Sequence, residues 1–308
     1  MAMQARLAPS SAFERLRPPS GRGALYVRRA FASHRLRPRD LYVWTPDVAP
    51  GAHLPVVYMQ DGQNLFDARL VPFGAAWNLD ECVSRLADQG EIHPAIIVGI
   101  GCTDDRLLEY APDLIMRRLP ARSRELIEQA WGGPSLSARY AHMLVEEIKP
   151  LIDAWFPTRP GRETTHIAGA SLGGAVAAEM LARYPDVFAS AACLSAHLSF
   201  LPIDEAHLPP PFLASDVIDA VGAFARTDMP RAGRHRVWLD RSEFGIDKFY
   251  EPAHAAFAAA LSELGYVASV DLSGGAFAGV GHDESAWGAR FGAALTFMFD
   301  RQAQPARV

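Results

Sequence analysis

The chain has 308 residues, 49% hydrophobic and 21% charged, with a formal net charge of −5. This is a globular composition, long enough to bury a large core without staples. The mild charge gives no electrostatic reason to expect nucleic acid as a partner, and no run nears the ~18 apolar residues that span a bilayer.

Residues 1–22 carry Pro, Ser and Arg with little periodicity and are expected to be poorly ordered. They lack the apolar core of a secretory signal, so a cytoplasmic protein is expected. Arginines recur from Arg6 to Arg39 but fall in alternating segments, which reads as a solvated sheet face rather than a basic arm. Two strands come first, "ALYVRRAFASHRL" and "DLYVWTP", β-branched and aromatic and ending at turn residues. No helix separates them, so they predict an antiparallel edge. "LPVVYM" (54–59) and "AIIVGIG" (95–101) are continuous apolar runs, as expected of strands buried on both faces. Between them "WNLDECVSRLADQG" has helical spacing and stops at Gly90. A long amphipathic helix over 137–156 is expected to bend at Pro150. Then follow the strand "THIAGA", the helix "SLGGAVAAEMLARYP" and the strands "ASAACLSA" and "HRVWLD". The helix "EPAHAAFAAALSELGY", the strand "VASVDLSGG" and the helix "ESAWGARFGAALTFMFD" complete the chain.

Strands alternating with helices predict a mainly parallel sheet with helices on both faces. Residues 23–308 read as one α/β domain. The stretch 198–234, with "LPPPFL" and little periodicity, reads as an insertion over one end of the sheet, a pocket wall, a lid or a surface loop. Cys82, Cys102 and Cys193 are odd in number and irregularly spaced, which argues against a disulfide framework and for small core residues.

Gly169-Ala170-Ser171-Leu172-Gly173 fits G-x-S-x-G. It follows a short apolar strand and opens a helix, the setting of a nucleophile held on a tight bend. Side chains flanking the bend would collide, so glycine suits 169 and 173, and Gly174, Ala175, Ala177 and Ala178 let the helix approach the sheet. The Leu172 N–H, at the positive end of the helix dipole, is the natural first oxyanion donor. A serine hydroxyl needs a base. His282, in the glycine-rich "GVGHDESAWGAR" after the last strand, is the best-placed of the ten histidines; His166 lies in a strand and His254 on a helix. The base needs an orienting acid, and "VWLDRSEFGIDKFY" offers Asp240, Glu243 and Asp247. Asp240 reads as still within its strand; Glu243 and Asp247 both lie beyond it. The order serine, acid, histidine is that of an α/β-hydrolase. A second oxyanion donor is expected from the turn in "VVYMQDGQNLFD", with Asp61 and Gly62 turning the chain so that the Gln63 N–H faces the serine. "GHDE" lacks the paired histidines of a zinc-hydrolase helix and no G-x-G-x-x-G follows a strand, so neither metal nor cofactor is implied.

These stretches, with "PAIIVGIGCTDDRLLEYAPD" and "GHDESAWGARFGAALTFM", resemble the esterases of the α/β-hydrolase superfamily related to enterochelin esterase, esterase D and feruloyl or acetyl-xylan esterases, over roughly residues 40–300. The resemblance implies a three-layer αβα sandwich and cleavage of a small-molecule ester, with Ser171 as nucleophile and His282 as base. Arg106, Glu109 and Tyr110 match an "R-x-x-E-Y" block, read as structural or pocket-lining. Where relatives carry "D-x-G-T-E" followed by a further acid, this chain has Asp240-Arg241-Ser242-Glu243-Phe244. Asp247 matches the later acid and is preferred, with Glu243 as substitute. "LSAHLSF" lacks the "S-P-S-x-W" of many relatives. The expected function is a serine carboxylester hydrolase. An acyltransferase on the same fold and a catalytically silent binding protein are the alternatives.

Overall fold

The computed structural model describes residues 12–71, 74–200 and 209–299. Among them the strands are β1 (Glu14–Leu16), β2 (Ala24–Phe31), β3 (Arg39–Thr45), β4 (Val56–Gln60), β5 (Ile96–Ile100), β6 (Thr165–Ala170), β7 (Ser190–Leu194), β8 (Arg236–Ser242) and β9 (Leu272–Phe277). They form one sheet in the order β1-β2-β3-β5-β4-β6-β7-β8-β9. Pairing is antiparallel from β1 to β5 and parallel from β5 to β9. This is the expected mainly parallel sheet with an antiparallel N-terminal edge.

Alternation along the central strands splits the core in two. Val56 and Tyr58 of β4 face one apolar cluster and Val57 and Met59 the other. Helices α1 (Leu79–Asp88) and α5 (Glu284–Met298) cover the second face through Val83, Leu86, Phe291 and Leu295. Helices α2 (Leu172–Arg183), α3 (Pro211–Asp228) and α4 (Glu251–Glu263) cover the first through Val176, Val217, Phe224 and Phe257. With both faces covered, β4 to β7 are buried at every position, which is why they read as unbroken apolar runs.

Several expectations change. Residues 1–11 lie outside the described part, but Phe13 is buried and Glu14–Leu16 pair with Leu25–Val27, so the N-terminal segment is not wholly irregular. The stretch 198–234 holds an 18-residue helix, α3. Leu213, Val217, Ala220, Val221 and Phe224 supply its buried stripe, a periodicity hidden behind the proline cluster. Residues 201–208, where a lid was a candidate, lie outside the described part. The last strand starts at Leu272 rather than Val267, because Ser269 adopts a left-handed φ of 64° in a turn. The irregularity expected at Pro150 is a π-helical turn, Met143–Ile148, just before it, where the missing N–H disrupts the fewest bonds.

Candidate active site

Strand β6 delivers Ser171 at the centre of the sheet. Its backbone sits at φ 56°, ψ −125°, a region costly for a side-chain-bearing residue. The bend is held from outside: the Ser171 N–H donates to Leu194 O at 2.9 Å, and the His197 N–H donates to Ser171 O at 2.9 Å. The crowding argument is strongest at Gly169, where a Cβ would lie 2.5 Å from Gly173 O and 2.6 Å from Gln60 Oε1. Leu172 and Gly173 open α2, so their N–H groups precede the first intrahelical bond and point outward beside Ser171.

His282 comes from the loop between β9 and α5. Its Nε2 is 3.1 Å from Ser171 Oγ, and its Nδ1 is 2.5 Å from Asp247 Oδ1. The ionised carboxylate can only accept, so Nδ1–H donates to Asp247 and Nε2 accepts from the serine hydroxyl. Asp247 lies in a short 3-10 helix, Gly245–Tyr250, after β8, and is fully buried. Burial pushes its pKa up, but the hydrogen bonds from His282 and the Ser242 N–H outweigh this and hold the carboxyl below the usual range. Ser242, at the position where relatives carry glycine, binds both loops: its hydroxyl donates to Val280 O at 2.5 Å and accepts from the Phe244 N–H at 2.9 Å.

The other candidates fall elsewhere. Glu243 is exposed, and its backbone N–H donates to Phe277 O; both imidazole nitrogens already face Ser171 and Asp247. Asp240 is buried in β8, paired with Arg290. His166 is buried at the start of β6, with Nδ1 2.8 Å from Ser190 Oγ and its pKa pushed down to about 3 by burial. His254 donates from Nε2 to Ala196 O at 2.7 Å.

Asp61 was expected among the oxyanion donors, and here the geometry corrects the sequence. Its backbone is left-handed at φ 55°, its N–H donates to Tyr110 Oη at 3.2 Å, and its carboxylate accepts from Arg106 Nε and Nη2 at 2.7 and 2.8 Å. Asp61 therefore anchors the loop. The Gln63 N–H heads the turn Gly62–Asn64, ahead of its first i→i+3 bond, and the Gln63 amide is fastened to Cys102 from both ends. Gly62 lets this loop lie against β5, since a Cβ there would come 2.4 Å from Gly99 C. The "R-x-x-E-Y" block is the loop's mounting: Arg106 holds Asp61, Tyr110 receives its N–H, and Glu109 makes a fully buried pair with Arg39 at 2.6 Å.

Four nearby residues escaped the sequence reading. Tyr250 is buried, its ring stacks on His197 at 4.8 Å and meets the His282 ring edge-on at 6.0 Å. Trp287 meets the His282 ring edge-on at 4.9 Å. Ser195 Oγ accepts from Arg290 Nη2 at 2.6 Å and from Trp287 Nε1 at 3.1 Å. Trp287 and Arg290 are three apart on α5, one face of a helix, but that spacing alone does not say what the face meets. Cys193 is buried, whereas Cys82 and Cys102 are only partly so; all three thiols are free, and burial pushes each thiol pKa up. No helix among the described residues is long and apolar enough to cross a membrane.

Residues 35–298 match the family described as "Putative esterase". Among solved structures, a ferulic acid esterase is 18% identical with TM-score 0.58, covering 89% of this chain and 97% of that one. An IroE-like serine hydrolase from Shewanella oneidensis is 18% identical with TM-score 0.57, covering 89% of this chain and 79% of that one. The enterobactin esterase FES from Shigella flexneri is 16% identical with TM-score 0.61; the match covers 95% of this chain but 61% of that longer protein. These likenesses carry the fold, an α/β-hydrolase sandwich. No curated protein matches the sequence.

Proposed function

Since the chain belongs to this esterase family and is a serine esterase acting on carboxylic esters, we propose that Ser171, His282 and Asp247 form its catalytic triad and work through an acyl-enzyme. The single observation carrying this is the imidazole spanning Ser171 Oγ and a buried carboxylate at hydrogen-bond distance on both sides. Ser171 Oγ attacks the ester carbonyl as its proton passes to His282 Nε2. Asp247 holds the tautomer and balances the imidazolium. The oxyanion is received by the N–H groups of Leu172 and Gln63, each donor contributing about 3 kcal/mol to the barrier reduction. His282 then protonates the leaving alcohol and activates water against the acyl-enzyme. The protein works as one α/β-hydrolase domain, on a small ester, without a cofactor.

The test pairs labelling with turnover. A fluorophosphonate should label the wild type once, at Ser171, and hydrolyse-competent protein should release p-nitrophenol from short-chain esters; Ser171→Ala should lose both. Labelling that persists in Ser171→Ala, or a wild type that is neither labelled nor active, would overturn the reading. Feruloyl esters and catecholate lactones, suggested by the names of the structural neighbours, form the first natural-substrate panel.

A further inference from the structure

We propose that the cavity at the end of the sheet remote from Ser171 is a phosphate-binding site, in which Arg159, Arg234 and His166 donate to the phosphate oxygens and His235 accepts from its remaining hydroxyl. The cavity holds about 190 Å³, and Pro55, Ala189 and His235 line it just before β4, β7 and β8 begin. His166, buried at the second position of β6, forms part of its wall. Ser171 follows the last residue of the same strand, so cavity and nucleophile lie at opposite ends of β6. Nothing in this site depends on the triad.

The wall carries more positive charge than its own carboxylates neutralise. Arg159 is tied to the β4 side, its N–H donating to Leu54 O at 2.7 Å, and Arg234 precedes β8. Among the described residues neither guanidinium is ion-paired. Of the two carboxylates in the wall, Glu163 is taken by Arg162. Asp271 sits in the turn before β9, where its Oδ2 accepts from the Val267 N–H at 3.4 Å. Arg236 is turned towards α5, donating to Phe297 O at 3.0 Å with its guanidinium over the Phe297 ring. The neighbours feel the surplus: burial lowers the pKa of Arg162, and the charge on Arg234 lowers it further. Two forked donors without a carboxylate between them suit an anion with several accepting oxygens.

The two histidines decide which anion fits. His235 is buried, and its Nε2 donates to Pro185 O at 2.8 Å. That leaves Nδ1 a bare lone pair, with no partner among the described residues. Burial lowers the His235 pKa, and the charges on Arg162 and Arg234 lower it further, which keeps Nδ1 unprotonated. Such an atom repels a fully deprotonated anion and accepts from one that carries a proton. His166 Nδ1 is 2.8 Å from Ser190 Oγ; with that hydroxyl donating, the ring proton sits on Nε2, the nitrogen left to the cavity. Cationic donors beside one buried acceptor match phosphate near neutral pH, which keeps a hydroxyl next to its accepting oxygens. Sulfate and carboxylates offer acceptors there but no proton.

Isothermal calorimetry with inorganic phosphate, sulfate and glycerol 3-phosphate, at neutral pH and matched ionic strength, tests this. Phosphate should bind the wild type once per chain with a Kd of about 1 mM or tighter, and sulfate at least about 5-fold more weakly. Glycerol 3-phosphate distinguishes the source: binding tighter than the free ion assigns the site to a phosphate ester, weaker binding to phosphate itself. Arg234→Gln, at an exposed side chain, should weaken phosphate about 10-fold, and Arg159→Gln combined with it about 100-fold. Arg226→Gln removes an exposed cation on α3 and should leave phosphate binding within about 2-fold. An unchanged circular-dichroism spectrum checks that each variant folds. No saturation by about 20 mM phosphate, equal affinity for sulfate, or equal phosphate binding by wild type and Arg234→Gln would overturn the proposal.

Discussion

Asp247 holds a negative charge where burial opposes it. Its hydrogen bonds from His282 and the Ser242 N–H outweigh that penalty, so its folded-state pKa lies below the ordinary value of 3.8. The stabilisation is therefore complete above the ordinary carboxylate pKa and is lost as pH falls through the lower folded value. Asp247→Asn should narrow the stability gap to wild type as pH drops from about 5 towards 2, read by urea midpoints across that range. The same variant should lower kcat by roughly 10³- to 10⁴-fold at neutral pH, since an amide cannot hold the imidazole in its productive tautomer. Glu243→Gln should leave kcat within about 2-fold, because that side chain is exposed and both imidazole nitrogens are already engaged. Comparable losses in the two variants would disprove the division between them.

At the scale of the element, the loop after β4 is the part most dependent on distant support. Arg106 grips Asp61 with two donors, and Tyr110 takes the Asp61 N–H, so the left-handed residue that aims the Gln63 N–H is fixed from a short helix far along the chain. Arg106→Met keeps much of the packing and removes the fork. It should cost about 10-fold or more in kcat with a smaller change in KM, as expected when an oxyanion donor drifts from its place. Glu109→Gln acts differently: it leaves Arg39 charged and buried without its partner, and should cost about 3–5 kcal/mol of stability by denaturant titration. If Arg106→Met lowers stability as much as Glu109→Gln does and leaves kcat alone, the loop is scaffold only.

For the whole molecule, His166 makes stability depend on pH far from the site. Burial lowers its pKa from 6.5 to about 3, so the folded protein keeps it neutral while the unfolded chain takes up a proton. Stability should fall as pH drops from about 6.5, by up to roughly 1.4 kcal/mol per unit. His166→Gln should flatten that slope in a comparison of Tm against pH; an unchanged slope would assign the acid sensitivity elsewhere. Much of this architecture was legible in the residues. Continuous apolar runs reported strands buried on both faces, and G-x-S-x-G between a strand and a helix reported the bend, because those signals arise from neighbours along the chain. The helix Pro211–Asp228 was legible too, but its stripe was overshadowed by the prolines before it. What the chain order alone could not decide was which of Glu243 and Asp247 faces His282, that the Asp61 N–H is spent on Tyr110, and that Ser195 meets Arg290. Those pairings join residues up to 95 positions apart, and which donor meets which acceptor depends on loop trajectories set by packing, which no local periodicity encodes.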